Sequence, residues 1–180
     1  MLFLHKNPSM ENCYVLFGSN MGDKKALFEQ ACMLINNRCG HITCVSSAYE
    51  SEPWGFEADE WFLNRVIIVE TELSPTDMLQ QMLDIERELG RIRHPEAEGY
   101  TSRTADLDLL YYGDQVIMTD FLTVPHPRLH LRRFALMPLC EVAPHLVHPV
   151  FHKTQAELLQ QCADVCIVRM TTKDEKQTEE

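Results

Sequence analysis

The most restrictive stretch of this chain is Arg103-Thr104-Ala105-Asp106-Leu107-Asp108, which runs straight into Leu109-Leu110-Tyr111-Tyr112 and sets two carboxylates at the mouth of an apolar, strand-like run. In an extended backbone, residues i and i+2 share a face roughly 6.5 Å apart. Asp106 and Asp108 are therefore expected to point the same way while Leu107, Leu109 and Tyr111 pack inward. Such a pair can hold one or two hard divalent cations through oxygen, with water or a substrate's phosphates completing the shell. On its own, Asp-x-Asp is a weak signal and is more often the solvated face of a strand. A calcium loop is disfavoured, because Leu110 stands at the next alternate position, where another oxygen ligand is needed.

The distribution of cations sharpens the choice. The chain has six Lys and ten Arg, with no Lys from Ala26 to His152, and Arg87, Arg91, Arg93, Arg103, Arg128, Arg132 and Arg133 crowd around the Asp pair. A guanidinium presents a planar fork that matches phosphate and stays charged when partly desolvated, whereas an ammonium is a mobile point charge. Any single Arg is explained by a salt bridge to the abundant acids. The cluster flanking Asp106 and Asp108 points to a polyphosphate site.

At 180 residues and 45% hydrophobic content, the chain can bury one core, so a single domain is expected. A net charge of −11 argues against DNA or RNA as partner, since binding to either relies on phosphate neutralisation. Seven Cys without framework spacing, and with no C-x-x-C pair among Cys39, Cys44, Cys162 and Cys166, read as reduced thiols in a cytoplasmic protein. His145, His148 and His152 read as loop histidines rather than a metal tract. No apolar run reaches the length of a membrane span, so no membrane partner is expected.

The patterning predicts an alternating α/β order within a domain over 12–170, after an N-terminal extension (1–11) and before a disordered tail (171–180). A strand from Cys13 to Phe17 ends in the turn cluster Gly18-Ser19-Asn20-Met21-Gly22 and leads to a helix from Asp23 to Arg38. One strand is predicted from Ile42 to Tyr49, then a loop opening at Glu50, then a strand from Phe62 to Glu72. Ser74 caps a helix that starts at Pro75 and runs to Leu89. After the loop 93–102 come the Asp-bearing strand, a small hairpin between Val116 and Val124, short helices at Phe134–Glu141 and Gln155–Cys162, and a last strand at Val165–Met170. Strand, helix, strand, strand, helix, strand is the order of a ferredoxin-like α+β antiparallel sheet with flanking helices. Neither G-x-x-x-x-G-K-[ST] nor G-x-G-x-x-G occurs, so Arg side chains and metal must do what backbone amides do in those folds.

Six motifs together carry a resemblance: Phe17-Gly18-Ser19-Asn20; Ser46-Ser47-Ala48-Tyr49 with Pro53-Trp54-Gly55; Phe62-Leu63-Asn64; Ile85-Glu86-Arg87-Glu88-Leu89-Gly90-Arg91; Arg103 to Asp108; and Val124-Pro125-His126-Pro127-Arg128. In order and spacing, over roughly Tyr14 to Pro149, the chain resembles the 6-hydroxymethyl-7,8-dihydropterin pyrophosphokinases of folate biosynthesis. The resemblance implies transfer of pyrophosphate from ATP to the hydroxymethyl group of a reduced pterin, releasing AMP, with two Mg2+ ions. It assigns the metal to Asp106 and Asp108, catalysis to these with Arg91 and Arg103, ATP contacts to Glu86, Arg93, His126 and Arg132, and the pterin to Phe62, Phe134 and Asn64, with backbone groups around Ser51, Pro53 and Trp54. Without it, Phe62 and Phe134 would be taken as core residues and His126 as a loop residue.

The chain departs from a common family pattern at Gly99-Tyr100-Thr101-Ser102, where many members carry Trp, Gly and Pro, and at Leu83 and Pro127 near the nucleotide. With no glycine-rich phosphate loop, closure over ATP is expected of the segments 51–60 and 93–102. A monomer or weak homo-oligomer is expected. Two other classes remain open: another Mg-dependent nucleotidyltransferase or hydrolase, and a non-catalytic ligand-binding module. The first leaves Phe62, Asn64 and Phe134 unexplained, and the second leaves the clustered acids and arginines unexplained.

Overall fold

Strand β1 (Glu11–Ser19) occupies the middle of the sheet because both its faces are apolar: Cys13, Val15 and Phe17 pack on one side and Leu16 on the other, all buried. The structure, a computed structural model, describes residues 10–55, 60–91 and 102–171. Helix α1 (Lys24–Arg38) begins where the Asp23 side chain accepts a hydrogen bond from Ala26 N at 3.0 Å. Strands β2 (His41–Val45) and β3 (Tyr49–Ser51) follow one another along the same edge of β4 (Phe62–Thr71). Helix α2 (Pro75–Glu88) is capped by Ser74, whose hydroxyl accepts from Asp77 N at 3.2 Å, and has Pro in its first turn.

Strand β5 (Asp106–Tyr112) pairs antiparallel with β1, and a small hairpin of β6 (Ile117–Met118) and β7 (Thr123–Val124) comes next. A 3-10 turn (Leu129–Leu131) leads into α3 (Arg133–Val142), then α4 (Gln155–Gln161) and β8 (Val168–Met170), which pairs with β3. The sheet order is β5-β1-β4-β3-β8, with β2 also on β4. Helices α1 and α2 cover one face, with Phe28, Ile35, Met82 and Ile85 against Phe17, Ile67, Leu107 and Leu109. Helices α3 and α4 cover the other, with Leu136, Leu139 and Leu158 against Leu16, Val66, Leu110 and Tyr111. This is the ferredoxin-like α+β sandwich expected from the sequence, with the second face of the sheet also closed.

Three local expectations are corrected. The strand predicted over Ile42–Tyr49 is two strands, because the buried Ser46 turns its hydroxyl inward to accept from Val66 N at 2.9 Å while its carbonyl accepts both Arg65 Nε and Nη2. A serine satisfying backbone groups in this way interrupts the ladder, and Glu50 and Ser51, expected in a loop, belong to β3. Tyr111 does not share a face with Leu107 and Leu109. Between Tyr14↔Tyr111 and Val15↔Leu109 the register gains a residue, and this bulge puts both Leu110 and Tyr111 on the α3 side. Gly18 lies within β1 rather than in the turn, which comes at Gly22 with φ 71°.

At the ends, Glu11 already pairs with Thr71 and Thr171 donates to Ala48 O at 2.9 Å, so each lies in the fold rather than in the extension or tail. Residues 1–9 and 172–180, and residues 56–59 and 93–101 of the two segments assigned to closure, lie outside the described residues.

After α1 the chain turns at Gly40 with φ 146°, and a Cβ placed there collides with the Glu70 carbonyl oxygen of β4. Gly40→Ala is expected to destabilise the protein by about 2 kcal/mol or more, read as a lowered thermal midpoint. An unchanged midpoint would contradict this close approach of the α1–β2 turn to β4.

Candidate active site

Alternation along four adjacent strands delivers one set of side chains to the α3 side of the sheet. Ser51 pairs with Phe62, Asn64 with Gly18, Gly18 with Asp106, and Leu16 with Asp108. All seven line a narrow cleft enclosing about 420 Å³. Gly18 keeps its floor open: a Cβ there would stand 3.6 Å from Asn64 Oδ1 and 4.0 Å from the Phe62 ring. Asn64 Nδ2 donates to Ser51 Oγ at 2.9 Å, both side chains being buried. The opposite wall comes from the start of α3, where Phe134 lies 6.3 Å from Trp54, centroid to centroid. A cleft with a ring on each side and a buried amide and hydroxyl along one edge suits a flat heteroaromatic ligand.

A second, broader cleft of about 1310 Å³ opens on the far side of the acid pair, between α2 (Leu79, Leu83), the β6–β7 hairpin (its connection 119–122 and Thr123 of β7), and His126. Arg103, Asp106, Asp108 and Arg132 line both clefts. The two spaces therefore meet at the two carboxylates.

The charges there are tightly tied. Asp106 Oδ1 is held by Arg91 Nη1, and Asp106 Oδ2 pairs with Arg103 Nη2 at 3.0 Å. Arg91 Nη1 also reaches Glu86 Oε1 at 2.6 Å, and the same oxygen accepts the Leu107 amide at 2.8 Å. Burial pulls the Arg91 guanidinium down, but Asp106 and Glu86 outweigh it, and its proton is held more firmly than usual. Asp108 Oδ2 pairs with Arg132 Nη1 at 3.2 Å. Burial, followed by the neighbouring Asp106 charge, lifts the Asp108 carboxyl to about 6, against the pull of Arg132 and Arg103. The donors of the pair are hard oxygens of the type that bind Mg2+. Among the described residues no group of three or more His, Cys, Asp or Glu side chains forms a metal cluster, so a cation here draws its remaining ligands from water or substrate.

Arg103 and Arg132 also face aromatic rings. Arg103 lies 5.4 Å from the centre of Phe62, and Arg132 lies 5.3 Å from Trp54 and 5.7 Å from Phe134. His126 is pushed down to about 4, by burial and then by Arg132, so its imidazole is neutral at physiological pH. Its Nδ1 accepts from Arg128 N at 3.1 Å, which leaves the ring proton on Nε2, 3.4 Å from Arg132 Nη1. An anionic oxygen entering here would meet donors from both side chains.

The structure thus brings together Ser51, Trp54, Phe62, Asn64, Arg91, Arg103, Asp106, Asp108, His126, Arg132 and Phe134. Pro53 is half-buried and outside the lining of either cleft. Arg93 and the altered segment 99–101 lie outside the described residues. Glu86, grouped with the ATP contacts on sequence, is only 1% exposed, and it fixes the amide between the two aspartates. Leu16, Leu79 and the hairpin residues of the second cleft were not singled out in the sequence, since apolar residues in strands and helices carry no mark of the cleft they line.

The raised Asp108 value gives a signed expectation. The folded protein holds this proton more tightly than the unfolded chain, so the carboxyl favours folding below its unfolded value, and that contribution is lost as pH rises through about 6. In metal-free protein, Asp108→Asn is expected to raise the thermal midpoint at pH 8 and to change it little at pH 4. A lower midpoint at pH 8 would show that Arg132 fully compensates the Asp108 charge.

A family model described as 7,8-dihydro-6-hydroxymethylpterin-pyrophosphokinase (HPPK) matches residues 14–144. The chain is 40% identical over 137 residues to the 2-amino-4-hydroxy-6-hydroxymethyldihydropteridine pyrophosphokinase of Porphyromonas gingivalis, which spans 76% of this chain and 92% of the relative. It is 41% identical over 130 residues to the Bacillus subtilis enzyme of the same name, spanning 72% and 76%. Its fold is similar to that of Plasmodium falciparum HPPK-DHPS, solved with pteroate, with a TM-score of 0.73 at 16% identity over 89% of this chain and 46% of that one. With the family model spanning most of the chain and two curated relatives about 40% identical, the chain belongs to the HPPK family.

Proposed function

We infer that this chain transfers pyrophosphate from ATP to the hydroxymethyl group of 6-hydroxymethyl-7,8-dihydropterin, giving the pterin diphosphate and AMP, in folate biosynthesis. The observation that carries the reading is the meeting of an aromatic cleft and a basic cleft at Asp106 and Asp108. Phe62 and Phe134 take the two faces of the pterin, with Trp54 beside Phe134 and Ser51 and Pro53 at the margin. The Asn64 amide addresses the pterin's polar edge. The triphosphate takes the broader cleft, where Arg91, Arg103, Arg132 and the His126 Nε2–H supply donors and Glu86 holds Arg91 in place. Arg93 joins them on sequence alone.

Asp106 and Asp108 would hold magnesium, two ions in the full reading, which on binding supplies neutralisation of the triphosphate and orientation of its β-phosphorus. Each arginine paired with an aspartate also has donors suited to a phosphate. The hydroxymethyl oxygen forms a bond to the β-phosphorus and gives up its proton to solvent, the bond from that phosphorus to the α–β bridging oxygen breaks, and negative charge accumulates on departing AMP. Arg91 and Arg103 are placed to stabilise that charge. Seven free thiols suit the reducing cytoplasm, and a monomer or weak homo-oligomer completes the reading.

The test is incubation with ATP, magnesium and the hydroxymethyl-dihydropterin, followed by nucleotide analysis. Pterin-dependent AMP is expected. ADP with orthophosphate, or AMP formed without pterin, would favour a hydrolase or another nucleotidyltransferase. Asp106→Ala and Asp108→Ala are each expected to lower kcat by about 100-fold or more, and near-normal turnover in either would remove that residue from the metal site. Phe134→Ala is expected to weaken pterin binding about fivefold, as loss of stacking worth roughly 1 kcal/mol requires. Binding of a non-hydrolysable ATP analogue should change little in that variant, and an equal loss of both ligands would show that the ring serves the core.

A further inference from the structure

Asn20, directly after β1, is 2% exposed, and its hydrogen bonds cross to the segment that enters β5. Its Nδ2 donates to Ser102 Oγ at 3.0 Å, its Oδ1 accepts from Arg103 N at 2.8 Å, and its own amide donates to Arg103 O at 3.2 Å. The paired register of β1 and β5 ends at Gly18↔Asp106, so these bonds continue the attachment to residues just before the acid pair. The orientation of the side-chain amide is set by its partners, since only the oxygen can accept from the Arg103 N–H. An aspartate would offer the acceptor but no donor, and an alanine neither.

We propose that Asn20 is a positioning residue for the transfer reaction: it fixes the Ser102–Arg103 backbone and so sets where the Arg103 guanidinium stands, between Asp106 Oδ2 at 3.0 Å and the Phe62 ring at 5.4 Å. The inference rests on the role assigned to Arg103 above. Beyond Arg103, Thr104 and the buried Ala105 lead into the first rung of β5, so the arginine's Cα is held from two sides, by Asn20 and by the sheet. With the Asn20 side removed, a long side chain on a displaced backbone still reaches phosphate but not in the required geometry, and a misplacement of about 1 Å can cost roughly 100-fold in rate.

A double-mutant cycle on Asn20→Ala and Arg103→Ala, measured by single-turnover AMP formation, separates this from support of the fold. Asn20→Ala is expected to lower the rate by about 10- to 100-fold while KM for ATP and pterin moves less than about threefold. In the Arg103→Ala background the same substitution should cost less than about twofold, because its effect passes through Arg103. Asn20→Asp keeps the acceptor for Arg103 N and lets the Ser102 hydroxyl donate instead, and it should restore most of the rate. Ser102→Ala, at an exposed residue, gives the cycle a second arm if Asn20→Ala does not fold, with a smaller loss that also vanishes without Arg103. A loss that repeats in full in the Arg103→Ala background, or wild-type turnover in Asn20→Ala, overturns the proposal. Wild-type turnover in Arg103→Ala instead overturns the role assigned to Arg103, on which the proposal stands.

Discussion

Glu86 and Asp106 share Arg91 in a nearly buried space, Asp108 pairs with Arg132 beside them, and the rest of the site is arranged around these charges. Burial and mutual repulsion favour protonation, and Asp108, at about 6, shows how far that pressure goes. Arginines from three parts of the chain answer it: Arg91 after α2, Arg103 before β5 and Arg132 at the entry to α3. The electrostatics thus join α2, the sheet and α3 at one point. Guanidinium suits the task because it carries several donors and stays charged when desolvated, and a single Arg91 nitrogen, Nη1, serves both Glu86 and Asp106.

The same point divides two binding spaces. Phe62 and Asn64 on β4, Gly18 on β1 and the aspartates on β5 share one face because the strands alternate and their registers are fixed at Gly18, which pairs with both Asn64 and Asp106. A one-residue slip of either neighbour would turn its functional side chains toward α1 and α2. The arginines then couple the spaces, since Arg103 touches Phe62 and Asp106, and Arg132 touches Phe134 and Asp108.

Much of this was legible in the chain. The 3.6 and 2 periodicities and the cap at Ser74 located the main helices and strands, and the Asp pair with its Arg-rich surroundings falls where the two clefts meet. What sequence could not give arises from pairing between distant strands. The bulge at Leu110 follows from β1, and the interruption at Ser46 follows from Val66 and Arg65 across the sheet. Glu86 carries the same surface-helix signature as Glu88, yet Glu86 is buried under Leu107 while Glu88 pairs with Arg38 at the surface. Phe62 and Phe134 were assigned to the pterin through motif resemblance, because a ring lining a cleft and a ring filling a core have the same local pattern.

The most direct test of the central claim is anomalous diffraction from crystals grown with Mn2+, a non-hydrolysable ATP analogue and hydroxymethylpterin. The account predicts manganese bonded to carboxylate oxygens of both Asp106 and Asp108, with the pterin ring between Phe62 and Phe134 and the triphosphate among Arg91, Arg103 and Arg132. Manganese bound away from the two aspartates, or a pterin seated in the broader cleft beside Leu79 and Leu83, would contradict it.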